Sequence, residues 1–206
     1  MSFQTSQIDT NFDILGERIL SSSTKGQIFE FQDIIYVLYT EYNSQKYSII
    51  IYETLSQQKS VLYTSESKIV IRTLRVDHDN RKVWFGGYIE SPMRAFFTFS
   101  TISPSNTFST ISLTIREDMK TIESIAISNN TTILLAGSSQ KNECWIVTNI
   151  SSNIYKIDTS LNSTTVKDIY LRDRFYYIFI EGISKPLNKN TIEMYKIHSN
   201  TLNGSL

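Results

Sequence analysis

The sequence predicts an all-β protein made of repeated units. Three observations support this prediction: a composition that favours strands, long apolar runs, and the return of those runs every 45 to 50 residues. The 206-residue chain has 29 Ile, 12 Tyr and 11 Phe but only 3 Ala, the residue with the highest helix propensity. We therefore expect strands along most of the chain and almost no helix.

Four long apolar runs set the repeat. They end at Thr40, Gly87, Gly137 and Gly182, so that successive ends lie 47, 50 and 45 residues apart. Self-similarity at such a period marks a repeat architecture. We place four units, within one domain, at residues 25–66, 69–118, 119–162 and 163–206.

Each run is expected to be the second strand of its unit. A short strand precedes it across a tight polar turn, and a third strand follows after a polar gap. Four antiparallel strands repeated every 40 to 50 residues or so are typical of the blades of a β-propeller. Three units contain a fourth, more polar strand, near Ser60–Thr64, Phe108–Ile115 and Ile154–Asp158.

The apolar pattern distinguishes a propeller from the alternative, an irregular β-sandwich. A strand in a two-layer sandwich has one wet face and alternates, whereas a blade is covered on both faces by its neighbours. Residues such as Val83–Phe85 and Ile133–Ala136 are apolar without alternation. The pattern therefore favours a β-propeller of four repeats, each a four-stranded antiparallel sheet.

Parts of the sequence resemble known propeller repeats. The apolar strand and double Gly of Lys82–Tyr88, the strand Ala95–Phe99 and the turn Ser103–Phe108 resemble a kelch blade. Residues Leu135–Ser139 and Trp145–Val147 are similar to the Gly-terminated propeller repeats of bacterial and eukaryotic surface proteins. The resemblance implies a propeller architecture and the usual role of such domains, which is to hold partners.

The amino-acid composition of the chain indicates which kinds of binding partner to expect. The 20 Lys and Arg balance 20 Asp and Glu, so nothing draws the chain toward nucleic acid, and no apolar run reaches the roughly 18 residues of a membrane helix. We expect protein partners or self-assembly, with a glycan as the alternative ligand. The polar start lacks the features of a signal segment, which favours the cytoplasm, whereas five Asn-x-Ser/Thr sequons fit an extracellular protein whose leader was removed.

No residue pattern predicts catalysis, and we expect neither a cofactor nor a metal. Asp77 and Asp79 flank His78 in a polar cluster, but the other units have polar residues at the same turn, so we interpret both as turn formers. His78 and His198 have no Cys at ligand spacing for zinc. Cys144, next to Trp145 within a strand, is expected to be a buried apolar residue.

Four residues are candidate structural or binding residues because of their positions in the repeat. Glu30 and Arg75 occupy equivalent places on the innermost strands of successive units, so we interpret them as a structural pair near the propeller axis. Tyr42 and Tyr88 lie at strand ends, where an aromatic ring is available for contact or for stacking on a sugar. We predict these two tyrosines as binding residues.

The first hypothesis for function is a non-catalytic binding or assembly module, a structural subunit of a larger complex or filament. A carbohydrate-binding propeller is the alternative, and a propeller-scaffold glycosidase or lyase is a third. The fourth unit lacks a convincing fourth strand, and we predict that residues 11–22 supply it. Supply within one chain gives a four-bladed monomer, whereas donation to the next copy gives a ring or a filament.

Overall fold

The computed structural model describes residues 26–128, 132–141, 143–148, 154–184 and 186–198. These residues form β-structure without helix, which confirms the all-β prediction. None of the described segments is a helix long and apolar enough to cross a membrane. The strands are β1 (Gln27–Phe31), β2 (Ile34–Asn43), β3 (Lys46–Glu53), β4 (Lys59–Ser65), β5 (Ile69–Asp77), β6 (Lys82–Ile89), β7 (Arg94–Thr101), β8 (Thr114–Arg116), β9 (Met119–Ser128), β10 (Thr132–Ser139), β11 (Cys144–Thr148), β12 (Ile154–Lys156), β13 (Leu161–Arg172), β14 (Phe175–Ser184) and β15 (Lys189–His198).

The strands form four antiparallel sheets in which sequential strands are neighbours. The first three sheets contain β1–β4, β5–β8 and β9–β12, and the fourth contains β13–β15 among the described residues. We call them the first to fourth blades. The prediction of four antiparallel sheets in sequence is therefore confirmed, and each sheet begins with the strand that precedes a long apolar run.

The fourth strand of the second blade is shorter than predicted. We expected Phe108–Ile115, but β8 spans Thr114–Arg116. Phe108 instead packs between blades, where its ring lies 5.1 Å edge-on from Tyr36 and 6.3 Å from Phe29. The segment before β8 thus contributes to the core rather than to the sheet.

The core lies between the blades. One buried cluster joins the first and second blades, another the second and third, and another the third and fourth. Within β6, Val83 and Phe85 belong to the first cluster and Trp84 to the second. Within β10, Leu135 belongs to the second cluster and Leu134 to the third. The apolar runs are therefore buried on both faces, as a stack of blades requires and a two-layer sandwich does not.

The two ends of the stack differ from its middle. No core cluster of the described residues joins the first blade to the fourth. The side of the first blade that faces away from the second has a small buried cluster of its own, Val37, Tyr39, Ile50 and Tyr52, and burial raises the pKa of the Tyr39 phenol to about 12. The predicted closing strand, residues 11–22, lies outside the described residues.

Two glycines lie opposite β-bulges in the first strands. A Cβ on Gly87 would be 1.9 Å from the Val70 carbonyl oxygen, and one on Gly137 would be 1.9 Å from that of Thr121. The pairing of β5 with β6 skips Arg72, and the pairing of β9 with β10 skips Glu123. A bulge leaves its extra residue outside the ladder and redirects its side chain. Here the extra residues form an ion pair between the second and third blades, with Arg72 Nε 3.6 Å from a Glu123 carboxylate oxygen.

We expect Gly87→Ala to lower the free energy of unfolding by about 3 kcal/mol, because the new methyl group collides with rigid backbone. Gly86→Ala is the matched control. Its Cβ would be 3.0 Å from the Phe96 carbonyl oxygen and 3.1 Å from an Ile122 methyl group that can shift, so we expect a loss of about 1 kcal/mol. Urea denaturation of the three proteins measures both values. Equal losses for the two variants would contradict the bulge geometry.

Candidate functional site

The side of the fourth blade that faces away from the third exposes several large apolar side chains. Side chains of β14 alternate, with Tyr176, Ile178 and Ile180 buried against the third blade and the residues between them directed outward. Exposed fractions on this outer side are 38% for Tyr170 and 57% for Met194. We define the fourth-blade face as Tyr170, Phe175, Tyr177, Phe179, Ile192, Met194 and Lys196.

Aromatic rings form a ladder across this face. The ring of Tyr170 stacks on that of Tyr177 with centroids 5.1 Å apart and on that of Phe179 at 5.8 Å. The ammonium group of Lys196 lies 4.0 Å from the centroid of Phe175 and 5.7 Å from that of Tyr177. Stacked rings and a cation above them hold each other in position without a covering blade.

Most charges at the fourth-blade face are paired. Lys167 forms an ion pair with Glu181, and Arg172 at the edge lies 3.5 Å from Asp173. Lys196 adds a positive charge above the aromatic rings. The face is therefore aromatic at its centre and positive at one end.

The sequence did not single out this face. Its aromatic run, Phe175–Phe179, resembles the apolar runs of the other blades, which are buried on both sides. The sequence feature that could have indicated this face is its high content of aromatic residues, because four of those five residues are aromatic. Exposure depends on whether another blade follows, and the local pattern does not encode that.

The structure places the two residues of the predicted axial pair, Glu30 and Arg75, in different surroundings. Arg75 Nη2 lies 3.3 Å from Asp168 Oδ1, joining the second blade to the fourth, whereas Glu30 is exposed on the outer side of the first blade. Ser124 of the third blade donates to the same Asp168 oxygen at 2.6 Å. Arg75 therefore pairs with Asp168, which follows the bulged residue Lys167 in β13, and reasoning from equivalent positions did not find this partner.

Tyr42 and Tyr88 lie at corresponding ends of the first and second blades. Tyr42 is 61% exposed and its ring lies 4.6 Å from that of Tyr47. Tyr88 is half-buried beneath the Arg72 guanidinium, 5.6 Å from its ring centroid. The structure brings neither tyrosine into a shared site, and their role in binding stays a prediction.

The polar cluster after β5 is a turn. Asp77 is buried, and its carboxylate accepts hydrogen bonds from the Asn80 backbone N–H at 3.0 Å and from the Asn80 side chain at 2.9 Å. His78 stacks on Phe31 with centroids 5.5 Å apart. In the described part of the chain, no three His, Cys, Asp or Glu side chains are grouped closely enough to hold a metal ion.

Hydrogen bonds and burial displace the pKa values of a few described side chains. Three described carboxylates have displaced pKa values, all lowered by hydrogen bonds to the charged form, whereas a general acid needs a raised pKa. Burial raises the pKa of the Cys144 thiol, which keeps it protonated and unreactive. The donors that lower the carboxylate pKa values are Arg116 for Asp118, Lys156 for Glu143 and Ser160 for Glu193.

A cleft of about 680 Å³ opens between the second and third blades. Trp84, Phe99 and Ile115 contribute apolar surface to its lining. Arg116 and Asp118 line the same cleft and form a two-pronged ion pair, with nitrogen to oxygen distances of 3.2 and 2.8 Å. Sequence reasoning did not find this cleft, because its walls come from two different blades.

Comparison with known proteins supports the fold. No family model and no curated protein sequence matches this chain. The β-propeller domain of the Trilobed protease from Pyrococcus furiosus, described as having an open velcro topology, is similar, with a TM-score of 0.50 and 10% identity over 83% of this chain. The fold is a β-propeller.

A second solved structure, a nidogen/laminin complex, is similar over 81% of this propeller chain, with a TM-score of 0.47 and 7% identity. The present propeller spans 54% of the length of the first matched chain and 60% of the second. At these identities the similarity concerns the fold alone.

We expect Asp77→Ala to lower the free energy of unfolding by about 1 to 2 kcal/mol, because two donors of Asn80 lose a buried acceptor. Asp79→Ala is the control at an exposed position in the same turn, and its effect should stay within about 0.5 kcal/mol. Thermal unfolding with and without calcium measures both. A calcium-dependent rise in Tm that Asp79→Ala abolishes would overturn the assignment of a turn.

Proposed function

We propose that this β-propeller is a non-catalytic binding and assembly module, a structural subunit of a larger complex or filament, and that the fourth-blade face is its contact surface. One observation carries the proposal. The second and third blades are apolar on both faces and are covered on both faces. On the outer side of the fourth blade, by contrast, Tyr170, Ile192 and Met194 are 38%, 61% and 57% exposed. Contiguous apolar surface of this kind marks interaction sites.

The chemistry of the face fits a protein. Tyrosine and arginine dominate the energetics of protein interfaces, and Tyr170, Tyr177 and Arg172 lie together here. The basic end near Lys196 favours a partner surface with acidic groups at its rim. The zero net charge of the chain gives no general attraction to nucleic acid, and the proposal includes no membrane insertion.

The absence of catalysis is part of the proposal. Among the described carboxylates, Asp118, Glu143 and Glu193 have lowered pKa values, the opposite of the raised pKa that suits a general acid. A glycosidase needs one carboxyl group that stays protonated to donate to the leaving group. A glycosidase or lyase stays the weaker hypothesis.

We expect Met194→Asp to disrupt assembly, because it places a charge in the middle of the apolar contact. Leu187→Asp is the matched control, since Leu187 is 65% exposed in the turn between β14 and β15 and lies outside the face. Native mass measurement over a concentration series should show an assembly for the parent chain and for Leu187→Asp, and the free chain for Met194→Asp. The circular dichroism of all three should agree.

A photoreactive amino acid at position 194 tests whether the partner is a different protein rather than a second copy of this chain. Expressed in the cells that make this chain, it should form an adduct with one defined protein, whereas the same probe at position 187 should not. A parent chain that is monomeric at all concentrations, together with no protein adduct from position 194, would overturn the proposed function.

A further inference from the structure

The fourth blade repeats the strand register of the first. In both blades a two-residue turn joins the first two strands, with Phe31 paired to Ile34 in the first blade and Arg172 paired to Phe175 in the fourth. The two blades can therefore be aligned residue by residue, starting from this turn. The third strands follow the same alignment, because Tyr36 in the first blade pairs with Glu53 where Tyr177 in the fourth pairs with Lys196.

The side of the first blade that corresponds to the fourth-blade face is covered by the second blade. Its apolar side chains are buried in the core cluster between these two blades: Phe29, Tyr36, Leu38, Ile49 and Ile51. Their counterparts in the fourth blade are Tyr170, Tyr177, Phe179, Ile192 and Met194. The fourth-blade face therefore has the form of a surface that packs against a following blade.

The other side of the first blade has the complementary form. We define the first-blade face as Ile28, Glu30, Asp33 and Ile35, which lie on β1, on the start of β2 and in the turn between them. Ile28 and Ile35 are 44% and 50% exposed, and both acidic residues are exposed. In the fourth blade, the counterparts of the three strand residues pack against the third blade: Ile169, Leu171 and Tyr176. The first-blade face therefore has the form of a surface that packs against a preceding blade.

The charges of the two faces are complementary. Between the first and second blades, burial raises the pKa of the Tyr36 phenol, Glu53 raises it further and Arg81 lowers it, so these two opposite charges act on the same part of the interface. The counterpart of Glu53 in the fourth blade is Lys196. The counterpart of Arg81, which directly precedes the second strand of its blade, is Asp33 in the first blade. Both signs are reversed together, so attraction between the two faces is retained.

On the basis of the function proposed above, we propose that the fourth-blade face binds the first-blade face of a second copy, so that copies join head to tail. Ile28 and Ile35 pack on the aromatic rings of the fourth blade, and the acidic residues lie near Lys196. The contact is limited to β1 and the start of β2, because Val37 and Tyr39 farther along this side are already buried. Two different surfaces meet at each junction, so the copies form a ring if the rotation closes and a filament if it does not.

Charge reversal on each face tests the proposal. Glu30→Lys combined with Asp33→Asn makes the first-blade face positive, and asparagine tolerates the φ of 62° at position 33. Lys196→Glu makes the fourth-blade face negative. Either protein alone then has like charges at the junction, and we expect sedimentation velocity to show a dissociation constant for self-association at least tenfold above that of the parent chain. An equimolar mixture of the two has opposite charges wherever unlike copies meet, and should assemble within about threefold of the parent affinity.

Glu66→Lys and Lys46→Glu are the matched controls, because they make the same charge changes at exposed positions outside both faces. Both should assemble like the parent chain, and the circular dichroism of all variants should agree. The proposal is overturned if the mixture stays dissociated, or if the first-blade variant alone assembles like the parent.

Failure of this junction can be distinguished from failure of the proposed function. If Met194→Asp prevents assembly but the first-blade variant does not, the fourth-blade face is a contact surface with a different occupant, and only the head-to-tail junction is overturned. A monomeric parent chain with a protein adduct from position 194 has the same meaning. A monomeric parent chain without an adduct overturns both proposals.

Discussion

The fold depends on one constraint: a sheet that is apolar on both sides must be covered on both sides. Val83 and Phe85 of β6 are buried toward the first blade, while Trp84 between them is buried toward the third. Each such side chain contributes roughly 1.5 to 3 kcal/mol when it leaves water. Stacking the blades face to face satisfies this requirement, and the short connections between sequential strands set the order of the stack.

The same constraint explains where functional surface is available. Close packing of the inner strands requires glycine at positions 87 and 137, opposite bulges that direct Arg72 and Glu123 toward each other between blades. Surfaces free for binding occur where stacking stops or where neighbouring blades diverge. The fourth-blade face is the first kind of surface, and the cleft beside Phe99 is the second.

Much of the architecture could be predicted because the spacing of the repeats and the burial of a strand on both faces are visible in short stretches of sequence. The spacing of the runs and the absence of alternation in residues such as Ile133–Ala136 indicated stacked blades, and the turn at Asp77 followed from its recurrence. Contacts between residues that are far apart in the sequence have no such local pattern. Asp168, which follows the bulged residue Lys167 in β13, contacts Arg75 of another blade, and the ring of Phe108 packs beside Tyr36 between two blades rather than in its expected strand.

Hydrogen exchange of the dilute monomer, followed by mass spectrometry, tests most directly the claim that a blade's burial on both faces governs this molecule. The account predicts slow exchange in β6 and β10, which are covered on both sides, and faster exchange in β14 and β15, which are covered on one. Among these four strands, raising the protein concentration should slow exchange in β14 and β15 alone. Equal protection of all four strands in the dilute monomer would contradict the account, because it would mean that the fourth-blade face is already covered.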